Sequence, residues 1–331
     1  MRPTTTDSFR LIDLHCDTIT ECHKHSVGLV NHRLQFSLDR IPEGVGICQC
    51  MAVFVPDTLR GAAATRYFDD VYATFLRQLQ RHRAQLCRLR DTRCIPQALD
   101  RRRAVCILTV EGGAVLGGDI SVLQKLDRAG VRMMTLTWNG ANELCGGADT
   151  DEGFTPFGRR VVAAMEHTGM AVDVSHLSDR GFWELCDFAS RPFAASHSNA
   201  RAVCGHRRNL TDDMFREIAR RGGVVGLNYY KSFIAEGGKT KSIADLLRHL
   251  THFLELGGED TVALGSDFDG ADMPAYLSGV EKLRSLRTAV EGAGIPQRVV
   301  EKLFFHNANR FFSQLESHLC AQGERENKNK G

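Results

Sequence analysis

Residues able to bind metal ions stand at the ends of short apolar runs throughout the chain. His15 and Asp17 close "LIDLHCDT" (residues 11–18), followed by Glu111 in "TVEGG", His176 in "DVSHLSD", His197 in "ASHSNAR" and Asp267 in "GSDFDG". One such group at a strand end is ordinarily a satisfied structural residue. Groups of this kind at five of eight strand ends exceed structural need. The i, i+2 spacing puts His15 and Asp17 on one side of an extended strand and Cys16 on the other, so Cys16 is read as a bystander. Imidazole and carboxylate without a cysteine cluster suit Zn²⁺ or a similar divalent ion in an open, catalytic site. Three histidines and three carboxylates exceed the needs of one tetrahedral ion. They suit two ions roughly 3.5–4 Å apart that share a carboxylate and a hydroxide.

These residues can act together only if their strands end on one rim. The apolar runs are 11–16, 46–54, 104–110, 131–137, 170–175, 193–196, 223–228 and 261–266, separated by amphipathic stretches such as "YFDDVYATFLRQLQRHRAQL" and "IADLLRHLTHFLELGG". Two helical intervals open on Ser, Thr or Asp and close on Gly, as helix caps do. Near-continuous apolar strands alternating with helices predict a parallel sheet covered by helices. Eight of them predict an α/β fold of the (β/α)₈ TIM-barrel type, one catalytic domain over 1–331 with flexible tails at about 1–9 and 321–331. An open doubly wound sheet is less favoured, because no G-x-G-x-x-G follows the first strand. In a barrel the catalytic groups gather at the C-terminal strand ends. Those ends here also carry Trp138 and Asn139 of "LTWNGAN" and Asn228. The 60–100 region reads as nearly all helix, with its arginines on a solvated face. The other histidines (His23, His25, His32, His82, His167, His206, His249, His252 and His306) read as structural or solvated residues of helices and loops.

Composition excludes several function classes. A formal charge of +2 with no basic stripe interleaved with aromatics argues against nucleic acid as a partner. No run approaches the ~18–20 apolar residues of a membrane span. The N-terminus has no secretory h-region and the C-terminal tail no hydrophobic anchor signal, so no membrane anchor is expected. Eleven cysteines, scattered singly through apolar segments and odd in number, read as reduced thiols of a cytoplasmic protein.

In combination, H-x-D, V-E-G-G, D-V-S-H, S-H-S-x-A-R with "RRNLTDD" downstream, and G-S-D-F-D-G resemble the membrane (renal) dipeptidase family, peptidase family M19, binuclear zinc peptidases of the amidohydrolase-like barrels. The resemblance runs from "LIDLHCDT" to "HNANRFF" near the end of the chain. It implies that His15 and Asp17 bind one Zn²⁺, that His176 and His197 bind the second, and that Glu111 bridges the two ions. It implies further that Asp267 is the acid/base beside the metals, touching the first ion. Arg208 then receives the substrate's C-terminal carboxylate, a role a planar guanidinium suits. Its neighbour Arg207 is the alternative, and Asn209, which shapes the same loop, is expected at the substrate with it. The chain departs from the kidney-type members at Trp138, where they carry a substrate-binding histidine, and matches the L-T-W-N of the bacterial branch. Trp138 and Asn139 are therefore expected at the substrate, and oxyanion stabilisation is left unassigned between the metals with Asn139 or Asn142 and another group.

The expected activity is hydrolysis of dipeptides, including those with a C-terminal D-residue, by a homodimeric enzyme as the resemblance suggests. Two rivals stand beside it. One is another binuclear amidohydrolase, acting on a cyclic amide, lactone or phosphotriester; many of these bridge their metals with a carboxylated lysine, and no strand here ends in lysine. The other is a non-catalytic metal-binding barrel, which would have no need of Asp267 beside the ions.

Overall fold

The computed structural model describes residues 8–315. Of the tails expected at about 1–9 and 321–331, all but Ser8 and Phe9 lie outside the described residues, and Phe9 opens the first strand. The strands are β1 (Phe9–Cys16), β2 (Val45–Phe54), β3 (Leu86–Leu89), β4 (Ala104–Glu111), β5 (Val131–Thr135), β6 (Ala171–Asp173), β7 (Ala194–Ala195), β8 (Val224–Leu227) and β9 (Val262–Leu264). Eight of them form a closed parallel barrel in the order β2-β1-β9-β8-β7-β6-β5-β4. Closure comes from β2 pairing with β4, from Ile47↔Ala104 to Phe54↔Glu111. Each of the eight expected apolar runs overlaps one of these strands.

β3 corrects the expectation that 60–100 is nearly all helix. It pairs with the first half of β4, up to Leu89↔Ile107, and β5 takes over the same edge from Leu108 onward. With only Leu86 of its four residues buried, it carries no periodic signal strong enough to stand out behind the 21-residue helix Gly61–Arg81.

Two apolar clusters divide the core. The larger lies between the strands and the surrounding helices. The smaller draws at least one residue from each barrel strand, among them Ile12, Leu14, Cys48, Val105, Met133, Ala171, Ala194, Val224 and Ala263, and fills the barrel interior. Phe305, Phe311 and Phe312 of the C-terminal helix close that interior from below. Arg310 of this helix donates to the carbonyls of Gly222, Gly223 and Asp260, just ahead of β8 and β9. The opposite, C-terminal rim of the barrel is left open.

The register of β1 decides what reaches that rim. Asp13 aligns with Gln49 and Cys16 with Met51, so β1 advances three residues against two on β2. Such a bulge reverses the phase of side-chain alternation. Ile12 and Leu14 therefore point into the barrel interior, and beyond the bulge His15 and Asp17, of opposite parity, do so too. Simple alternation predicts that His15 and Asp17 share a face with Cys16 opposite, and this holds locally. Extended backwards, it would have put Leu11 and Asp13 inside.

His249, in the helix Ala244–Glu255, is fully buried and ties this helix to the loop after β7. Its Nδ1 accepts from Ala200 N at 3.1 Å and its Nε2 donates to Ile234 O at 2.9 Å. Burial, with Arg248 and His252 adding, pushes its pKa down to about 4, so it folds neutral. In the unfolded chain it protonates near its ordinary value, so the stability from neutral His249 is present above that value and is lost as pH falls toward 4. The loss should reach about 3 kcal/mol by pH 4. Urea unfolding of the wild type and of His249→Gln between pH 7.5 and 4 checks this: the variant should lack that part of the acid slope, and parallel curves would refute the assignment.

Candidate metal centre and active site

All six expected ligands converge at the C-terminal rim. Glu111, the last residue of β4, lies between the histidines and divides its two oxygens between them. Oε1 faces His176 Nε2 at 2.7 Å and His197 Nε2 at 3.5 Å, while Oε2 faces His15 Nε2 at 3.5 Å. On the other side His15 Nε2 meets Asp17 Oδ2 at 3.3 Å and Asp267 Oδ1 at 3.9 Å. Two sets of potential ligands result, His15–Glu111–His197 and His15–Asp17–Asp267, each with its ligand atoms within 4.8 Å of one another.

Three observations test whether metal ions fit here. First, His176 Nε2 and His197 Nε2 lie 3.0 Å apart. His176 Nδ1 is 2.9 Å from the Asn139 amide oxygen, which can only accept, so Nδ1 carries the proton and Nε2 presents a lone pair. Burial, with the charge of Arg208 adding, lowers His176 to about 4 and keeps it neutral. Second, two of the acids are held well above the ordinary carboxylate range, chiefly by burial. Burial, with Glu111's charge adding, pushes Asp17 up to about 8. Burial also pushes Asp267 up to about 6, His15 opposing and Glu111 adding to the rise. Third, Asp17 Oδ1 is buried with no hydrogen-bond partner. A Cβ added to Gly270 would lie 2.1 Å from Asp17 Oδ2 and 2.5 Å from Asp267 Oδ1, so only glycine leaves this space clear. Bare imidazole nitrogens, crowded carboxylates and an orphaned oxygen fit divalent cations.

The loop after β9 sets Asp267 by an unusual backbone. Asp267 and Asp269 both have positive φ, 65° and 66°, a region Asp tolerates better than most residues. Asp267 Oδ2 accepts from Asn228 Nδ2 at 3.0 Å, which leaves Oδ1 toward His15. The site opens into a cavity of about 600 Å³, within the range of small-molecule sites.

A model of the membrane dipeptidase family, peptidase family M19, matches residues 4–325. The chain belongs to this family. It is similar to an uncharacterised protein from the pqqA 5′ region of Klebsiella pneumoniae, 36% identical over 248 residues, which are 70% of this chain and 90% of that protein. An uncharacterised dipeptidase of Schizosaccharomyces pombe is 33% identical over 219 residues, 63% of this chain and 52% of the relative. Among solved structures, a metallopeptidase of Rhodobacter sphaeroides liganded with a phosphinate mimic of the dipeptide L-Ala-D-Ala superposes with a TM-score of 0.87 at 26% identity, covering 92% of this chain and 99% of that one. The chain is thus a hydrolase of the M19 dipeptidase family on a (β/α)₈ barrel.

Arg208 is the cationic wall of this M19 cavity. It is 5% exposed, lies over the Phe233 ring at 5.3 Å, and its Nε and Nη2 have no partner. Burial lowers its pKa only to about 10, so it keeps its charge. Arg207, the alternative, sits outside, its side chain half-exposed and 3.8 Å from Asp151. Asn209, expected at the substrate, is not among the residues lining the cavity: its amide donates to Cys204 O and Phe233 O and accepts from Asn199 N, so it builds the loop that carries Arg208. Trp138 lines the cavity and meets Phe54 edge-on at 5.2 Å. Asn139 also lines it; its amide oxygen faces His176 Nδ1 at 2.9 Å. Asn142 spends its amide on Leu136 O and on Leu144 N and Cys145 N, and so is unavailable to an oxyanion. Cys16 is buried and joins neither ligand set.

Several site residues were not singled out in the sequence. His206, read as structural, lines the cavity, and its Nδ1 accepts from Arg208 N at 3.2 Å. Phe54, at the end of β2, and Tyr230 and Phe233, at the short helix Lys231–Ile234 after β8, add aromatic walls. Asp13 and Asp173, fully buried one tier below, each accept the backbone N–H two residues on and one from the neighbouring strand. An acid inside an apolar run, as in "LIDLH" and "AVDVS", is the signal that could have found them, because a buried carboxylate must find donors.

Proposed function

We propose that this protein is a two-zinc dipeptidase that hydrolyses dipeptides, including those with a C-terminal D-residue. The observation that carries the reading is the division of Glu111's oxygens between His176/His197 and His15, which suits a carboxylate bridging two ions. His15 and Asp17 would hold one ion, with Asp267 touching it, and His176 and His197 the other. When bound, the ions make hydroxide available near neutral pH and polarise a carbonyl.

The chain's own residues do the rest. Arg208, buried and with free donors, pairs with the substrate's C-terminal carboxylate. The carboxylates around the ions receive the N-terminal amine, and capture of both ends restricts length to two residues. Asp267, oriented by Asn228, takes the proton of the attacking water and returns it to the leaving amine. Tolerance for a D-residue is supported by the L-Ala-D-Ala mimic bound to the Rhodobacter sphaeroides neighbour. The ten cysteines of the described residues are free thiols, which supports a reducing, cytoplasmic setting. Among the described residues no helix is long and apolar enough to cross a membrane.

Elemental analysis should find close to two zinc equivalents, and a panel of L,L-dipeptides, L,D-dipeptides and tripeptides should show cleavage of the first two classes only. Asp267→Asn should keep most of the metal and lose about 10²–10⁴-fold in kcat. No bound metal together with no dipeptide cleavage would sink the reading. Full activity of Asp267→Asn would remove only the proton-transfer role.

A further inference from the structure

His197 and His176 point their Nε2 atoms at the same oxygen of Glu111, but they are held from behind by different chemistry. Behind His176 stands the neutral amide of Asn139. Behind His197 stands Ser196, whose Oγ is 2.7 Å from His197 Nδ1 and 2.6 Å from Asp173 Oδ2.

The direction of these hydrogen bonds follows from Asp173. Its Oδ1 accepts from Ser196 N at 2.8 Å, Ser175 N at 3.1 Å and Ser175 Oγ at 2.7 Å, and its Oδ2 from Thr135 Oγ1 at 2.5 Å as well as from Ser196. A carboxyl surrounded by donors is ionised and can only accept. The Ser196 hydroxyl therefore spends its proton on Asp173 and has only lone pairs left for His197. Nδ1 of His197 must then carry the ring proton, and Nε2 must be bare toward Glu111.

The relay is rigid as well as directed. His197 N donates to Ser175 Oγ at 3.0 Å, so the second hydroxyl bound to Asp173 also holds the His197 backbone. A Cβ on Gly226 of β8 would fall 2.0 Å from Ser196 O, so the neighbouring strand backs directly onto the relay. Asp173 does not line the cavity and reaches no reacting atom.

We propose that Asp173 is a positioning residue that fixes the tautomer and orientation of His197 through Ser196, and so sets the affinity of the metal ion at the His176/His197 end. The inference rests on the two-ion reading above. It makes the two imidazoles of that end unequal: His197 is backed by an anionic relay, His176 by an amide. Outer partners of this kind typically change metal affinity 10–100-fold.

The test is chelator competition with Zn²⁺ on the wild type, Asp173→Asn and Ser196→Ala, with visible spectra of the Co²⁺-loaded proteins and melting of the metal-free ones. Ser196→Ala leaves Asp173 its bonds from Thr135, Ser175 and Ser196 N, and so guards against a folding failure of Asp173→Asn. In both variants one of two equivalents should weaken 10–100-fold, the other keep its wild-type affinity, and the Co²⁺ spectrum of the weakened equivalent change. Two equivalents of wild-type affinity and spectrum in Ser196→Ala would overturn the proposal. So would equal weakening of both equivalents matched by a lower melting temperature of the metal-free protein, the mark of a merely structural role. A wild type that binds fewer than two ions would instead overturn the two-ion reading, and the inference with it.

Discussion

Glu111→Gln is expected to leave a folded barrel that no longer holds a pair of metal ions. The substitution keeps the shape of the side chain at the end of β4 but removes the charge that both its oxygens present to His176, His197 and His15. Two dications brought within about 4 Å of one another need a shared anion. The loss should be several kcal/mol of transition-state stabilisation, on the order of 10³-fold or more in kcat/KM. Added Zn²⁺ should raise the melting temperature of the wild type, because ligands that bind only the folded state stabilise it, and should raise that of the variant much less. A Glu111→Gln protein with two tightly held ions and wild-type activity would show that the bridging assignment is wrong.

Arg208→Ala should cost about 10²–10³-fold in kcat/KM, carried mainly by KM, because it removes a charge-assisted, two-pronged contact from a buried wall. Arg208→Lys should recover little, since an ammonium cannot present the paired donors of a guanidinium. The decisive comparison uses dipeptide amides, which lack the C-terminal carboxylate. The wild type should cleave them about as poorly as Arg208→Ala cleaves the free dipeptides, and the variant should show no further loss on them. If Arg208→Ala discriminated between amide and acid as strongly as the wild type does, the carboxylate site would lie elsewhere, with Arg207 the next candidate.

The barrel was largely legible because its strands are buried on both faces. Such strands read as continuous apolar runs, and all eight runs overlap strands of the barrel. The convergence of the six candidate ligands was legible for a related reason: in this architecture such groups sit where a run ends, so element and motif are adjacent in sequence. β3 escaped because it has four residues and pairs with only half of β4. His206, Tyr230 and Phe233 escaped because they stand in the connections that follow β7 and β8, and residues of such connections acquire a common cavity only when the barrel rim brings them together.

Asp173 and the bulge of β1 mark the boundary between the two kinds of information. Residue type and spacing by themselves determined that His15 and Asp17 share a side, that five strand ends carry metal-compatible groups, and that no lysine stands in the bridging place. They did not determine that an extra residue after Asp13 reverses the phase of β1, because a bulge is visible only in the pairing with β2. Nor did they determine which oxygen of Glu111 faces which histidine, or which nitrogen of His197 carries the proton. Those depend on distances between strands far apart in sequence, set by barrel closure, and on donors arriving at Asp173 from β5, the turn after β6 and the end of β7. Chemistry was written residue by residue, but its direction is a property of neighbours that only the closed barrel supplies.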